Sequence, residues 1–139
     1  MSISREMQRY QETDIKSISA EKLIVLMYEK MADDLLEARR AIAAGDRVRT
    51  ADRITHSQKI IAELRSALDH AVGGEISRNL EALYDFLFLE HLEILLDRDV
   101  RRVDNCLAVI SPLLEAWRRV PAGTVAETAH KSTLQSVSA

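Results

Sequence analysis

The sequence predicts an all-α fold, an antiparallel four-helix bundle preceded by a short N-terminal helical arm. Three observations carry that expectation. Helix formers dominate a chain with only four glycines and two prolines, so long regular elements are expected. Apolar residues recur at spacings of three and four in four separate segments. The joints between those segments are short enough to force antiparallel neighbours. A chain of 139 residues also has the length of one domain with a self-sufficient core.

Residues 1–18 are polar with sparse apolar anchors. Met7 and Tyr10 follow Ile3 at spacings of four and three, as on one face of a short helix, and Ile15 follows without clear phase. An isolated helix of this length is not stable in water. The segment is therefore expected to dock on something or stay mobile.

The bundle is expected over residues 19–120. Ser19 is a good N-cap for the first helix, with Glu21 in the first turn favouring the helix dipole and Ile18 and Leu23 at the staple positions. Ile24, Met27, Tyr28, Met31, Leu35, Ala38 and Ile42 then recur at helical spacing until Gly45 stops the run. Asp46 is expected to cap a second helix reaching about Ala71, with Val48, Ala51, Ile54, Ile61, Leu64 and Leu68 on one stripe. The pair Gly73-Gly74 is read as the turn that ends it. A phosphate loop would need a preceding strand, and Glu75 would repel an anion.

The third helix is expected from Glu75 to about Leu96, with Ile76, Leu80, Leu83, Tyr84, Leu87, Ile94 and Leu95 inward. Asp99 then caps a fourth helix whose seam is Val100, Val103, Leu107, Ile110, Leu114 and Trp117. Pro112 lies inside it and predicts a kink or a helix in two pieces. Residues 121–139 are rich in Ser, Thr and Ala and read as a disordered tail.

Composition excludes several function classes. A formal net charge of -3, with acids and bases interleaved, argues against a nucleic-acid partner. No apolar run approaches membrane-spanning length and the start of the chain lacks an apolar signal region, so a cytoplasmic protein without membrane insertion is expected. The one cysteine, Cys106, lies in a helical pattern and reads as a packed thiol.

Catalytic and metal-ligating patterns are also missing. A di-metal bundle needs two Glu-x-x-His pairs, and the chain has one, Glu127 to His130, in the tail. His56, His70 and His91 stand apart, and His91 is expected to be partly buried and bonded to a neighbouring carboxylate. Asp33-Asp34 and Asp97-Asp99 read as caps and surface charge. No nucleophile elbow or dinucleotide loop is present. No enzymatic activity, cofactor or metal is expected.

The third helix carries an apolar surplus. On a wheel of about 100° per residue, Phe88, Leu89, Leu92 and Leu96 form a second stripe opposite the core stripe, interrupted by Asp85. A surface helix of a bundle needs one apolar face. This helix is thus either the most buried of the four, covered by the N-terminal arm, or a groove for a partner. Burying four such side chains gains roughly 1.5–3 kcal/mol each before ordering costs.

The chain resembles the flagellar export chaperones of flagellin, the FliS family, over about Met7 to Val120. The resemblance lies in short blocks in order: Tyr10-x-x-Thr13; Ser19-Ala20-Glu21-Lys22-Leu23 into Leu26-Met27-Tyr28-Glu29; Ala41-Ile42 with Gly45-Asp46; Ile60-Ile61-x-Glu63-Leu64 and Leu68-Asp69; Gly73-Gly74-Glu75-Ile76 with Asn79-Leu80; Leu83-Tyr84-Asp85-Phe86; Asp99-Val100; and Ala116-Trp117. Ala20 stands where many members have proline, and Leu89-Glu90-His91-Leu92 replaces the family's commonly basic run.

The resemblance implies a non-enzymatic cytoplasmic chaperone that binds the disordered C-terminal region of flagellin. Its task would be to prevent premature polymerisation and keep the subunit competent for flagellar type III export. It also implies an arm, here Met7, Tyr10 and Ile15, that lies over apolar surface when cargo is absent, with Tyr10 as its latch. Candidate groove residues are Leu26 and Met27, from a wide apolar face, and Phe88, Leu89, Leu92 and Leu96, from the wheel. Other flagellar export components are further candidate partners, and the resting state is a monomer or weak dimer. The rival readings are a generic helical adaptor or dimerisation module and a metal-binding bundle enzyme.

Overall fold

The first helix, α1 (Ala20–Ala43), is the axis on which the other three pack. The computed structural model describes residues 18–125. It adds α2 (Arg47–Ser66), α3 (His70–Asp97) and α4 (Val100–Arg119), joined by short turns, as an antiparallel four-helix bundle. Packing is cyclic: α1 lies against α2 and α4, and α3 closes the square between them.

Local chemistry sets each boundary. Ser19 Oγ accepts from Lys22 N at 3.1 Å, Asp46 from Arg49 N at 3.0 Å, and Asp99 from Arg101 N at 2.9 Å, satisfying amides that have no helical partner. At the end of α1, Gly45 takes φ +70° while Asp46 N donates to the Ala41 carbonyl and Gly45 N to that of Ile42. This is the double-bonded glycine stop, and it swings the chain straight into α2.

Two boundaries differ from expectation. The second helix ends at Ser66, short of Ala71, because Asp69 caps the next one by accepting from Ala71 and Val72. The glycine pair therefore lies inside α3, where Gly74 (φ 54°, ψ −125°) breaks the helical path after one turn. A side chain is disfavoured at both glycines. An L-residue at Gly74 would be strained, and a Cβ on Gly73 would fall 1.8 Å from Ser77 Oγ. Pro112 does not split α4, which runs unbroken to Arg119. Pro112 and Ala108 are both exposed, so water can satisfy the carbonyl that the proline ring deprives of its partner.

The core gathers Leu23, Met27, Tyr28, Met31 and Leu35 of α1 against Ile54, Ile61, Leu87, Ile94, Val103 and Ile110. Three polar contacts cross it. Tyr28 and Tyr84, on opposite corners of the square, share a hydroxyl–hydroxyl bond of 2.6 Å with their rings tilted by 56°. Burial raises the pKa of both phenols, so each stays protonated.

Nearer the other end, His91 is fully buried. Its Nδ1 donates to the Leu87 carbonyl at 2.7 Å, which leaves Nε2 to accept from Ser57 Oγ at 2.8 Å. No carboxylate bonds it, contrary to expectation, because the groups within reach are a serine on α2, the helix's own backbone and the Cys106 thiol of α4. Asp34 is also not surface charge. It is buried between α1 and α2, accepting from His56 Nδ1 at 2.5 Å and Arg53 at 3.2 Å.

Three predictions follow from these contacts. Tyr28→Phe and Tyr84→Phe should each destabilise by about 1–3 kcal/mol by orphaning the remaining hydroxyl, and the double variant should cost less than their sum in urea unfolding. Burial lowers the His91 pKa from 6.5 to about 4. Between those values the unfolded chain holds the extra proton, so stability is full above 6.5 and declines as pH falls toward about 4. An NMR titration of the His91 ring should find its midpoint near 4 rather than 6.5. Gly73→Ala should cost about 1–3 kcal/mol, and Ser77→Ala should recover part of that loss by removing the clashing oxygen.

Candidate partner-binding surface

Helix α3 is the least covered member of the square. Among the described residues, seven of the nine large apolar side chains left exposed are on it: Val72, Ile76, Phe86, Phe88, Leu89, Leu92 and Leu96. The other two, Leu36 and Val48, lie on different helices. The buried residues of α3 are Ser77, Tyr84, Leu87, His91 and Ile94, a single stripe. Of the accounts open for the apolar surplus, maximal burial of this helix is thus excluded. It is α1 that is buried most deeply.

The four wheel-derived residues share the outward face. Phe88 is 37% exposed, Leu92 42%, Leu89 62% and Leu96 74%. Phe88 and Leu89 line a groove of about 560 Å³ between α3 and α2, opposite Ala62, Arg65 and Ser66. Asp85, which interrupts the stripe, is held across that groove by Arg65 Nε at 2.6 Å. The pair is about half exposed, and its energetic weight is correspondingly small. The groove is an apolar floor with one charged bridge.

The first helix contributes less than expected. Leu26 is half-buried and packed against the core. Met27 is 1% exposed, because it is in phase with Leu23 and Met31 on the inward face of α1. It belongs to the core and presents nothing to a partner. Met7, Tyr10 and Ile15 lie outside the described residues, as does the Glu127–His130 pair.

A second concavity was not foreseen. At the α3 start, Leu68, Val72, Ile76 and Leu80 border an apolar cavity of about 320 Å³ completed by Ile24, Leu64, Tyr84, Trp117, Thr124 and Val125. Ile76 was expected inside, yet it is 72% exposed. Ile94 shares its azimuth on the wheel and is fully buried. The difference is position: Ile76 follows the Gly74 break, beside the open cavity. The available signal was Leu68-x-x-x-Val72-x-x-x-Ile76-x-x-x-Leu80, a spacing of four running through the glycine pair.

The described residues offer little for catalysis. No cluster of three or more His, Cys, Asp or Glu among them is placed to hold a metal ion. Cys106 is buried 3.7 Å from His91 Nδ1, and burial pushes its thiol up to about 12, which keeps it protonated. No helix among the described residues is long and apolar enough to cross a membrane.

Comparison with known proteins gives this apolar surface a context. The family described as flagellar protein FliS matches residues 3–124. The flagellar secretion chaperone FliS of Campylobacter jejuni is 32% identical over 106 residues, covering 73% of this chain and 80% of that protein. The Salmonella typhimurium protein of the same name is 29% identical over 110 residues, covering 78% and 82%. The flagellar secretion chaperone FliSB of Pseudomonas aeruginosa is 26% identical over 117 residues, covering 81% and 93%. A bundle with unspent apolar surface and a match over nearly its whole length converge: the chain belongs to the FliS family, a family of flagellar chaperones rather than enzymes.

Proposed function

We propose that the protein is a bacterial cytoplasmic export chaperone that binds the disordered C-terminal region of flagellin on the exposed face of α3. The bound segment is kept from polymerising early and remains competent for flagellar type III export. The observation that carries this reading is the concentration of exposed apolar side chains on one helix. An apolar patch of that kind on a lone chain is a liability unless something covers it.

Recognition would be a seating of the cargo's apolar side chains in the α2–α3 groove, over Phe88 and Leu89, continuing along Leu92 and Leu96. The Arg65–Asp85 bridge offers polar anchors across the groove. In the same proposal Met7, Tyr10 and Ile15 of the N-terminal segment compete with cargo for this surface.

Isothermal titration with the last ~40–60 residues of the cognate flagellin tests the reading, since coupled folding and binding buries apolar area and gives a negative heat-capacity change. Leu92→Asp should weaken binding roughly tenfold or more, the scale of losing one buried leucine contact, with helicity unchanged by circular dichroism. Unchanged affinity would remove α3 from the interface. An obligate dimer without cargo, seen by light scattering, would instead assign the face to self-pairing.

A further inference from the structure

The end of the bundle where α1 begins holds a feature that the α3 stripe does not account for. Glu21, in the first turn of α1, is buried although it is a carboxylate. One of its oxygens accepts from Gly123 N at 3.0 Å and the other from Val125 N at 2.7 Å. A buried carboxylate persists where hydrogen bonds replace its water, and bonds to an ionised acceptor are the stronger kind. The adjacent helix N-terminus favours its charge.

The donors come from a segment that folds back after α4. Thr124 donates to the Pro121 carbonyl through both N and Oγ1, at 3.2 and 2.6 Å, and Gly123 takes φ +85° to make the turn. Thr124 and Val125 thereby become one wall of the 320 Å³ cavity whose other walls include Val72, Ile76 and Trp117. That wall is a short length of peptide held by its own amides, with one apolar side chain turned to an apolar space.

We propose that residues 121–125 form an intramolecular strap, held by Glu21 as one wall of this cavity, that competes with an apolar segment of the cargo for the cavity and must release before that segment enters. This rests on the reading of α3 as the cargo surface, because Val72 and Ile76 belong to both. The strap sets an apolar side chain, Val125, against the same apolar space that an apolar side chain of the cargo would fill. While it is closed, apparent cargo affinity is reduced by the fraction of open molecules.

The test uses the full chain and its Gly123→Pro variant, which removes one donor and cannot hold a positive φ, with Glu21→Gln as a second variant at the other partner. Circular dichroism checks the bundle, and hydrogen exchange at the Val125 amide checks release. The expected result is faster exchange at Val125, brighter emission from the apolar dye 8-anilinonaphthalene-1-sulfonate, and roughly tenfold tighter binding of the flagellin C-terminal peptide, the scale of losing one such bond. The gain should appear in the association rate. A freely exchanging Val125 with peptide affinity unchanged would overturn the proposal. If the peptide binds neither parent nor variant, the cargo reading fails instead, and the dye decides the strap: increased emission upholds it and unchanged emission overturns it.

Discussion

A square of four helices can cover one face of each member, and that geometric limit governs this protein. α1 escapes it, because α2 and α4 flank it and the 121–125 segment crosses its start. α3 does not. It spends Tyr84, Leu87, His91 and Ile94 on the core and still carries Phe88, Leu89, Leu92 and Leu96 on the far side. Removing that second stripe would leave a bundle with the same core and far less apolar surface on this helix.

The core itself is not uniformly apolar, and its polar contacts fix which helix sits where. Leucine and isoleucine layers tolerate sliding and repacking, whereas a buried hydroxyl or imidazole needs its partner at bonding distance. Tyr28 with Tyr84 ties the diagonal α1–α3 pair, Asp34 with His56 ties α1 to α2, and Ser57 with His91 ties α2 to α3. Surface ion pairs such as Arg102–Glu90 and Arg118–Glu29 run along the remaining seams. Exposed pairs like the latter add little energy. The buried bonds set the register that keeps the α3 stripe facing out.

What the sequence made legible was local. Ser19, Asp46 and Asp99 act as caps within two or three residues, so their chemistry is visible in a short window. The outward stripe of α3 was readable because it depends on helical phase alone. What depended on other segments was not readable. Asp34 finds His56 across 22 positions, and Glu21 finds Gly123 across 102. Ile76 shows a different limit: a wheel assigns direction, but neighbours and helix breaks decide exposure. Asp69 was overshadowed by the glycines that follow it, although its capping bonds set the start of α3.

Cys106 has a quieter implication. The chain's one thiol is walled in by the core and holds its proton far above neutral pH. In the folded protein this thiol is therefore withheld from disulfide exchange and thiol alkylation. A cysteine introduced on the exposed face of α3 would be the accessible thiol for a thiol-directed label.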